Sequence, residues 1–170
     1  VERPPAASIL HAWELPPSGG NTCFMNMYAV LEALPAELLA KIEGKKCKHD
    51  VSHTSDGVLR HDYDDSPDAK SCPGPWHPMI RTHPASGRKA LYLGKRAWAY
   101  IEGTTTEENE EILDAIWAIA ERPEFVYEHV WTQGDVLMWD NRCAMHRRDE
   151  FDGSQRRIMH RSQLRGDIPV

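Results

Sequence analysis

The chain has 170 residues, 27% of them charged and 41% apolar, with a net charge of −6 at neutral pH. This is the balance of a globular domain long enough to bury about 70% of its unfolded surface. The negative balance speaks against a nucleic-acid partner, which needs clustered Lys and Arg, and no apolar run approaches the roughly 18 residues of a membrane span.

After a proline-containing entry at Val1–Pro5, Ala6–Leu15 reads as a strand. It stops at Pro16 and Pro17, and Gly19 and Gly20 permit a sharp turn. Thr22 follows, and on its own it reads as the cap of the next helix. Phe24–Leu34 and Pro35–Ile42 predict two short helices divided at Pro35, the second carrying Leu38, Leu39 and Ile42 at helical spacing and ending at Gly44. A short strand is expected at Lys45–Lys48.

Residues 49–75 are polar and rich in His, Asp, Ser and Pro, which predicts a long loop or lid with a solvated acidic run at Asp62–Asp68. His77–Thr82 and Lys89–Tyr92 predict a hairpin across Pro84–Gly87, with His77 and His83 structural or solvated rather than metal-binding. Trp98 and Tyr100 belong to the substrate side, to the core or to the surface. Thr106–Glu121 is the clearest helix: Thr106 caps it, acids crowd its first turn, and Ile112, Ile116 and Ile119 form a packing face. Phe125–Trp131 and Val136–Trp139 predict strands around a turn at Thr132–Gly134. The four cysteines lack C-x-x-C spacing and read as reduced thiols of a cytoplasmic protein. No repeat or linker divides the chain.

The densest chemistry lies in Trp139–Arg161. A strand ending at Trp139 turns at Asp140 and Asn141, His146 follows within a few residues, and a polar loop with Gly153 leads to an alternating run from Arg157 to Leu164. Alternation puts Arg157, Met159, Arg161 and Gln163 on one face and Ile158, His160, Ser162 and Leu164 on the other. Arg157 and Arg161 are then roughly 13 Å apart, at about 3.3 Å per residue, so they suit two anionic groups or the two ends of one site. A guanidinium pairs with a carboxylate in a planar, bidentate way. Arg156 falls on the opposite face.

The Trp139–Arg142 turn, His146 and the Arg156–Arg161 run resemble the C-terminal signature of the TauD/TfdA family of Fe(II)- and 2-oxoglutarate-dependent dioxygenases. Gly19–Thr22, His77–Tyr92 and Arg122–Phe125 agree in order. The resemblance implies a mainly β fold with bracing helices, a distorted jelly roll (a double-stranded β-helix, cupin-like). It implies His146 as the distal iron ligand, Arg157 and Thr22 on the distal carboxylate of 2-oxoglutarate, and Arg161 on the anionic group of the substrate. It further implies hydroxylation of a small organic anion by O2, with release of succinate and CO2; a sulfonate, a sulfate ester and an aryloxyalkanoate all remain open. The family binds iron through a His-x-Asp (or His-x-Glu) pair plus the distal His, and neither pair occurs in this sequence. The expectation is therefore the C-terminal portion of one dioxygenase catalytic domain, its N-terminal part missing and the fragment alone inactive. A non-catalytic anion-binding module and a structural subunit partner are the competing readings, and homo-oligomerisation stays open.

Overall fold

The strand expected near the start forms as β1 (Ala7–Glu14) and becomes the centre of a three-stranded antiparallel sheet, between β9 (Val136–Asp140) and β11 (Ile158–Leu164). The computed structural model describes residues 1–54, 57–94 and 98–170. Register sets Ser8 opposite Trp139 and Gln163, and Leu10 opposite Leu137 and Arg161. Arg161, Met159 and Gln163 thus share one face with Trp139, as the alternation predicts. The other face carries Ile9, His11, Val136, Met138 and His160.

A second antiparallel sheet has β2 (Thr22–Asn26) at its centre, flanked by β8 (Val126–His129) and β10 (Ala144–Arg148). The rings of Phe24 on β2 and Trp139 on β9 meet at 5.1 Å, so the two sheets face one another across these side chains. Here the sequence expectation fails, since Phe24–Asn26 were placed in a helix. Pairing on both edges of β2 occupies its backbone groups and delays the helix to α1 (Met27–Ala33). Asn26 caps it, accepting from the amides of Tyr28 and Ala29 at 3.1 and 3.2 Å. α2 (Ala36–Ile42) follows after Pro35, as expected.

The main core lies beside these sheets, not between them. Met27, Val30, Ile42 and Cys47 pack there with Met79, Leu91, Ile101 and Ile116. They come from the helices and from the short strands β3 (Lys46–Lys48), β4 (Trp76–Pro78), β5 (Ile80–Thr82), β6 (Lys89–Leu91) and β7 (Tyr100–Ile101). The strand expected at 77–82 is two strands: β4 pairs with β3, and β5 with β6. Pro78 has no N–H to continue the ladder, and Met79 bonds to both sides, donating to the Lys45 carbonyl at 3.0 Å and accepting from Tyr92 at 2.7 Å. α3 (Thr106–Ala120) buries Ile112, Ile116 and Ile119 as predicted, but its capping box is Thr105 with Glu108, one residue earlier than the expected Thr106. Its fully buried Asn109 accepts from the Ile101 amide at 2.8 Å and donates to the Ala99 carbonyl at 3.0 Å, fastening the helix to β7.

The 49–75 segment has little regular structure, yet both ends are tied down. Buried Asp50 accepts from the Ser52 and His53 amides at 2.8 and 3.1 Å and lies 2.9 Å from His53 Nδ1. Trp98 stacks on His53 at 5.1 Å, Lys48 donates to the Cys72 carbonyl at 3.0 Å, and the Cys72 thiol reaches the Trp98 carbonyl. Asp62–Asp68 is largely exposed. Tyr100 is buried and donates to the Thr104 carbonyl, so both aromatic residues brace the fold. Among the described residues no helix is long and apolar enough to cross a membrane.

Candidate active site between the two sheets

The turn before β2 sets the first part of the site. Gly19 and Gly20 have φ of +74° and +70°, in the left-handed region that glycine tolerates. A Cβ on Gly19 would lie 2.5 Å from the Glu150 carbonyl oxygen, and one on Gly20 would lie 3.0 Å from Arg157 Nε. The turn therefore presses directly against the two ends of the segment that joins β10 to β11. Arg157 Nε donates to the Gly20 carbonyl at 3.1 Å, and its two terminal nitrogens have no partner among the described residues. The guanidinium is partly buried, and desolvation, with the Arg148 charge behind it, lowers its pKa.

Thr22 is buried two residues beyond the turn, and its Oγ1 accepts from Trp131 Nε1 at 3.0 Å. That bond leaves the hydroxyl hydrogen free to be donated to an anion. Thr22 does not cap a helix; Asn26 has that role. Trp131 was missed by the sequence reading, and nothing local marks it, because it approaches Thr22 from 109 residues away.

His146 sits on β10 opposite Phe24. Its ring lies 4.8 Å from Trp139 and stacks on Phe24 at 6.4 Å. Desolvation lowers its pKa, and the Arg161 charge adds to the effect. The residue as a whole stays open to solvent, so the depression comes from the ring's crowded flanks, not from a sealed interior. At neutral pH the imidazole is neutral and offers a lone pair to a metal.

Trp139, Asp140 and Asn141 aim this strand, as expected. Trp139 Nε1 donates to Asn141 Oδ1 at 2.8 Å, and Asn141 Nδ2 donates to Ser8 Oγ at 2.9 Å. Asp140 accepts from the Arg142 amide at 2.8 Å and from its guanidinium at 2.6 Å, and lies 3.0 Å from His83 Nε2. Ligand atoms of His83, Asp140 and Cys143 fall within 4.8 Å of one another, the spacing of a metal site. The chemistry argues otherwise. Burial would raise the Asp140 carboxyl, but hydrogen bonds from Arg142 and His83 outweigh it and hold the group well below the usual carboxylate range. Burial also pushes the Cys143 thiol up, away from the thiolate that binds metals. A cation would have to displace Arg142, so this cluster is a structural clasp.

The arginines divide by face. Arg161 lies on the face of Trp139, and its charge reaches His146. Arg156 points away and pairs at the surface with Glu14 at 3.1 Å. Arg148 was missed by the sequence reading; it lies opposite Thr22, on the face of His146 two residues earlier. The same alternation that sorts Arg157 from Arg156 would have found it. The arrangement thus brings the Arg157 guanidinium to the turn that precedes Thr22, and sets Thr22 two residues from Phe24, the strand partner of the neutral His146. A complete metal face needs two further ligands, and among the described residues no cluster of three ligands includes His146.

The sequence matches the family described as Taurine catabolism dioxygenase TauD, TfdA family over residues 1–163. The chain belongs to the TauD/TfdA family. Among its TauD/TfdA relatives is the alpha-ketoglutarate-dependent 2,4-dichlorophenoxyacetate dioxygenase of Cupriavidus pinatubonensis, 39% identical over 98% of this chain and 58% of that protein. The alpha-ketoglutarate-dependent sulfate ester dioxygenase of Pseudomonas putida is 32% identical over 100% of this chain and 58% of its own. The chain thus spans a little over half the length of these relatives. Among solved structures, AAD-2 in complex with Mn(II) and N-oxalylglycine superposes with a TM-score of 0.86 at 36% identity, covering 99% of this chain and 66% of that one. A taurine dioxygenase from Burkholderia xenovorans gives 0.81 at 33% identity, covering 100% and 57%.

Proposed function

We propose that the complete protein is an Fe(II)- and 2-oxoglutarate-dependent dioxygenase that hydroxylates a small organic anion of the aryloxyalkanoate, sulfonate or sulfate ester class. The observation that carries this reading is the Arg157–Gly20–Thr22 cradle, built beside a neutral His146 on the facing sheets. The facing antiparallel sheets support a distorted jelly roll, and the free thiols suit a reducing cytoplasm. The His-x-Asp ligands belong, on this reading, to a part of the protein outside these 170 residues.

Arg157 binds the distal carboxylate of 2-oxoglutarate through its terminal nitrogens, and Thr22 donates a hydrogen bond to the same group. His146 supplies one imidazole to the metal. Bound Fe(II) supplies O2 activation coupled to oxidative decarboxylation of 2-oxoglutarate to succinate and CO2. Arg161 receives the anionic group of the substrate, Phe24 and Trp139 keep water from the flanks of His146, and the 49–75 segment acts as a cover.

The test is Fe(II) titration and 2-oxoglutarate-dependent succinate release on the full-length protein and on residues 1–170. The full-length protein should bind Fe(II) stoichiometrically and turn over, and His146→Ala should abolish both. Stoichiometric binding by the short form, lost in its own His146→Ala variant, would show that residues of this chain complete the metal face.

A further inference from the structure

The cleft beside His146 carries a charge that the proposed catalytic arrangement does not use. It has a volume of about 540 Å³ and is lined by Met145 and His146, Leu91 and Tyr92, and Thr54 and Arg60 among others. Among the described residues no aspartate or glutamate lines it, in a chain whose net charge is −6. Of the two guanidinium groups among its described lining residues, that of Arg142 is neutralised by Asp140 at 2.6 Å. Arg60 has no acidic partner among the described residues; its Nε donates to the His53 carbonyl at 3.3 Å and its terminal nitrogens are unclaimed.

The position of Arg60 is fixed by more than an exposed loop. Its amide donates to the Ser52 carbonyl at 2.8 Å, and its neighbour Leu59 forms a bridge with His53. His53 is itself buried, held by Asp50 at 2.9 Å and covered by Trp98. The Arg60 side chain is exposed, but its backbone is braced by a buried anchor and it lines the same cleft as His146, so its charge is held where a ligand beside His146 would meet it. The same lining includes apolar side chains, Met27, Leu91, Leu93 and Met145. A cation and apolar side chains lining one cleft suit an anion with a hydrophobic body.

We propose that Arg60 is a specificity-determining residue, which binds the anionic group of the primary substrate from the 49–75 segment and so selects amphiphilic organic acids over neutral compounds of the same shape. The proposal rests on the dioxygenase reading for the identity of the cleft, and concerns a cation apart from Arg161, which is not among the described residues that line it.

The experiment is calorimetric titration of the full-length protein, loaded anaerobically with Fe(II) and 2-oxoglutarate, with two probes. One is 2,4-dichlorophenoxyacetate; the other is the uncharged 2-(2,4-dichlorophenoxy)ethanol. Arg60→Met should weaken acid binding at least tenfold, leave the alcohol within twofold, and flatten the salt dependence; Arg60→Lys should recover most of the loss. Equal weakening of both probes, unchanged acid binding in Arg60→Met, or a wild-type preference for the alcohol would each overturn the proposal. Succinate release by the same wild-type preparation in air tests the dioxygenase reading separately, since the acid-to-alcohol comparison decides Arg60 whether or not turnover occurs.

Discussion

Replacing Arg157 by alanine removes a guanidinium that is partly buried, anchored at Nε by Gly20, and without a partner at its terminal nitrogens among the described residues. A bidentate pair with the distal carboxylate of 2-oxoglutarate would satisfy both. Truncating one member of a buried, hydrogen-bonded charge pair costs about 3–5 kcal/mol. Partial exposure places Arg157 at the lower end, about 3 kcal/mol, which corresponds to roughly a hundredfold in affinity. Arg157→Lys keeps the charge and loses the planar fork, so an intermediate loss of about tenfold is expected. The control is Arg156→Ala: that side chain is 72% exposed and pairs only with Glu14, an interaction of about 1 kcal/mol or less that lies away from the site. The assay is 2-oxoglutarate-dependent succinate release by the full-length protein at saturating primary substrate, with the apparent KM for 2-oxoglutarate as the readout. Equal shifts in the Arg156 and Arg157 variants would refute the face assignment and with it the cradle.

Arg161→Ala should impair turnover of the primary substrate while largely sparing uncoupled 2-oxoglutarate decarboxylation; parallel loss of both would assign Arg161 to the co-substrate. Gly20→Ala forces a side chain into a φ of +70°, with its Cβ 3.0 Å from Arg157 Nε. It should cost about 1–2 kcal/mol of stability in urea denaturation and also raise the KM for 2-oxoglutarate. Asp140 has a folded pKa below its unfolded value near 3.9, so its contribution to stability is present above about pH 4 and is lost as pH falls further toward the folded value. Urea midpoints measured from pH 6 to pH 3 should drop more steeply in the wild type than in Asp140→Asn.

Local periodicity decides which face a residue takes once its element is known, and that much is legible in the sequence. The parity of the last strand separates Arg157 and Arg161 from Arg156, and the structure keeps Arg161 with Trp139 while sending Arg156 to Glu14. The paired glycines before Thr22 mark a turn, and the isoleucine spacing of α3 marks a buried helical face. Which elements pair is a different kind of fact. Phe24–Asn26 lie in a strand because β8 and β10, more than a hundred residues away, occupy both edges of β2. Trp131 reaches Thr22 and Arg148 lies opposite it for the same reason. A short segment that suits either helix or strand is settled by the hydrogen bonds and burial that distant chain brings to it, and those terms exceed the few tenths of a kcal/mol by which local propensities differ. The sequence therefore determined the chemistry carried by each strand, while only the tertiary structure decided which strands stand together to make a site.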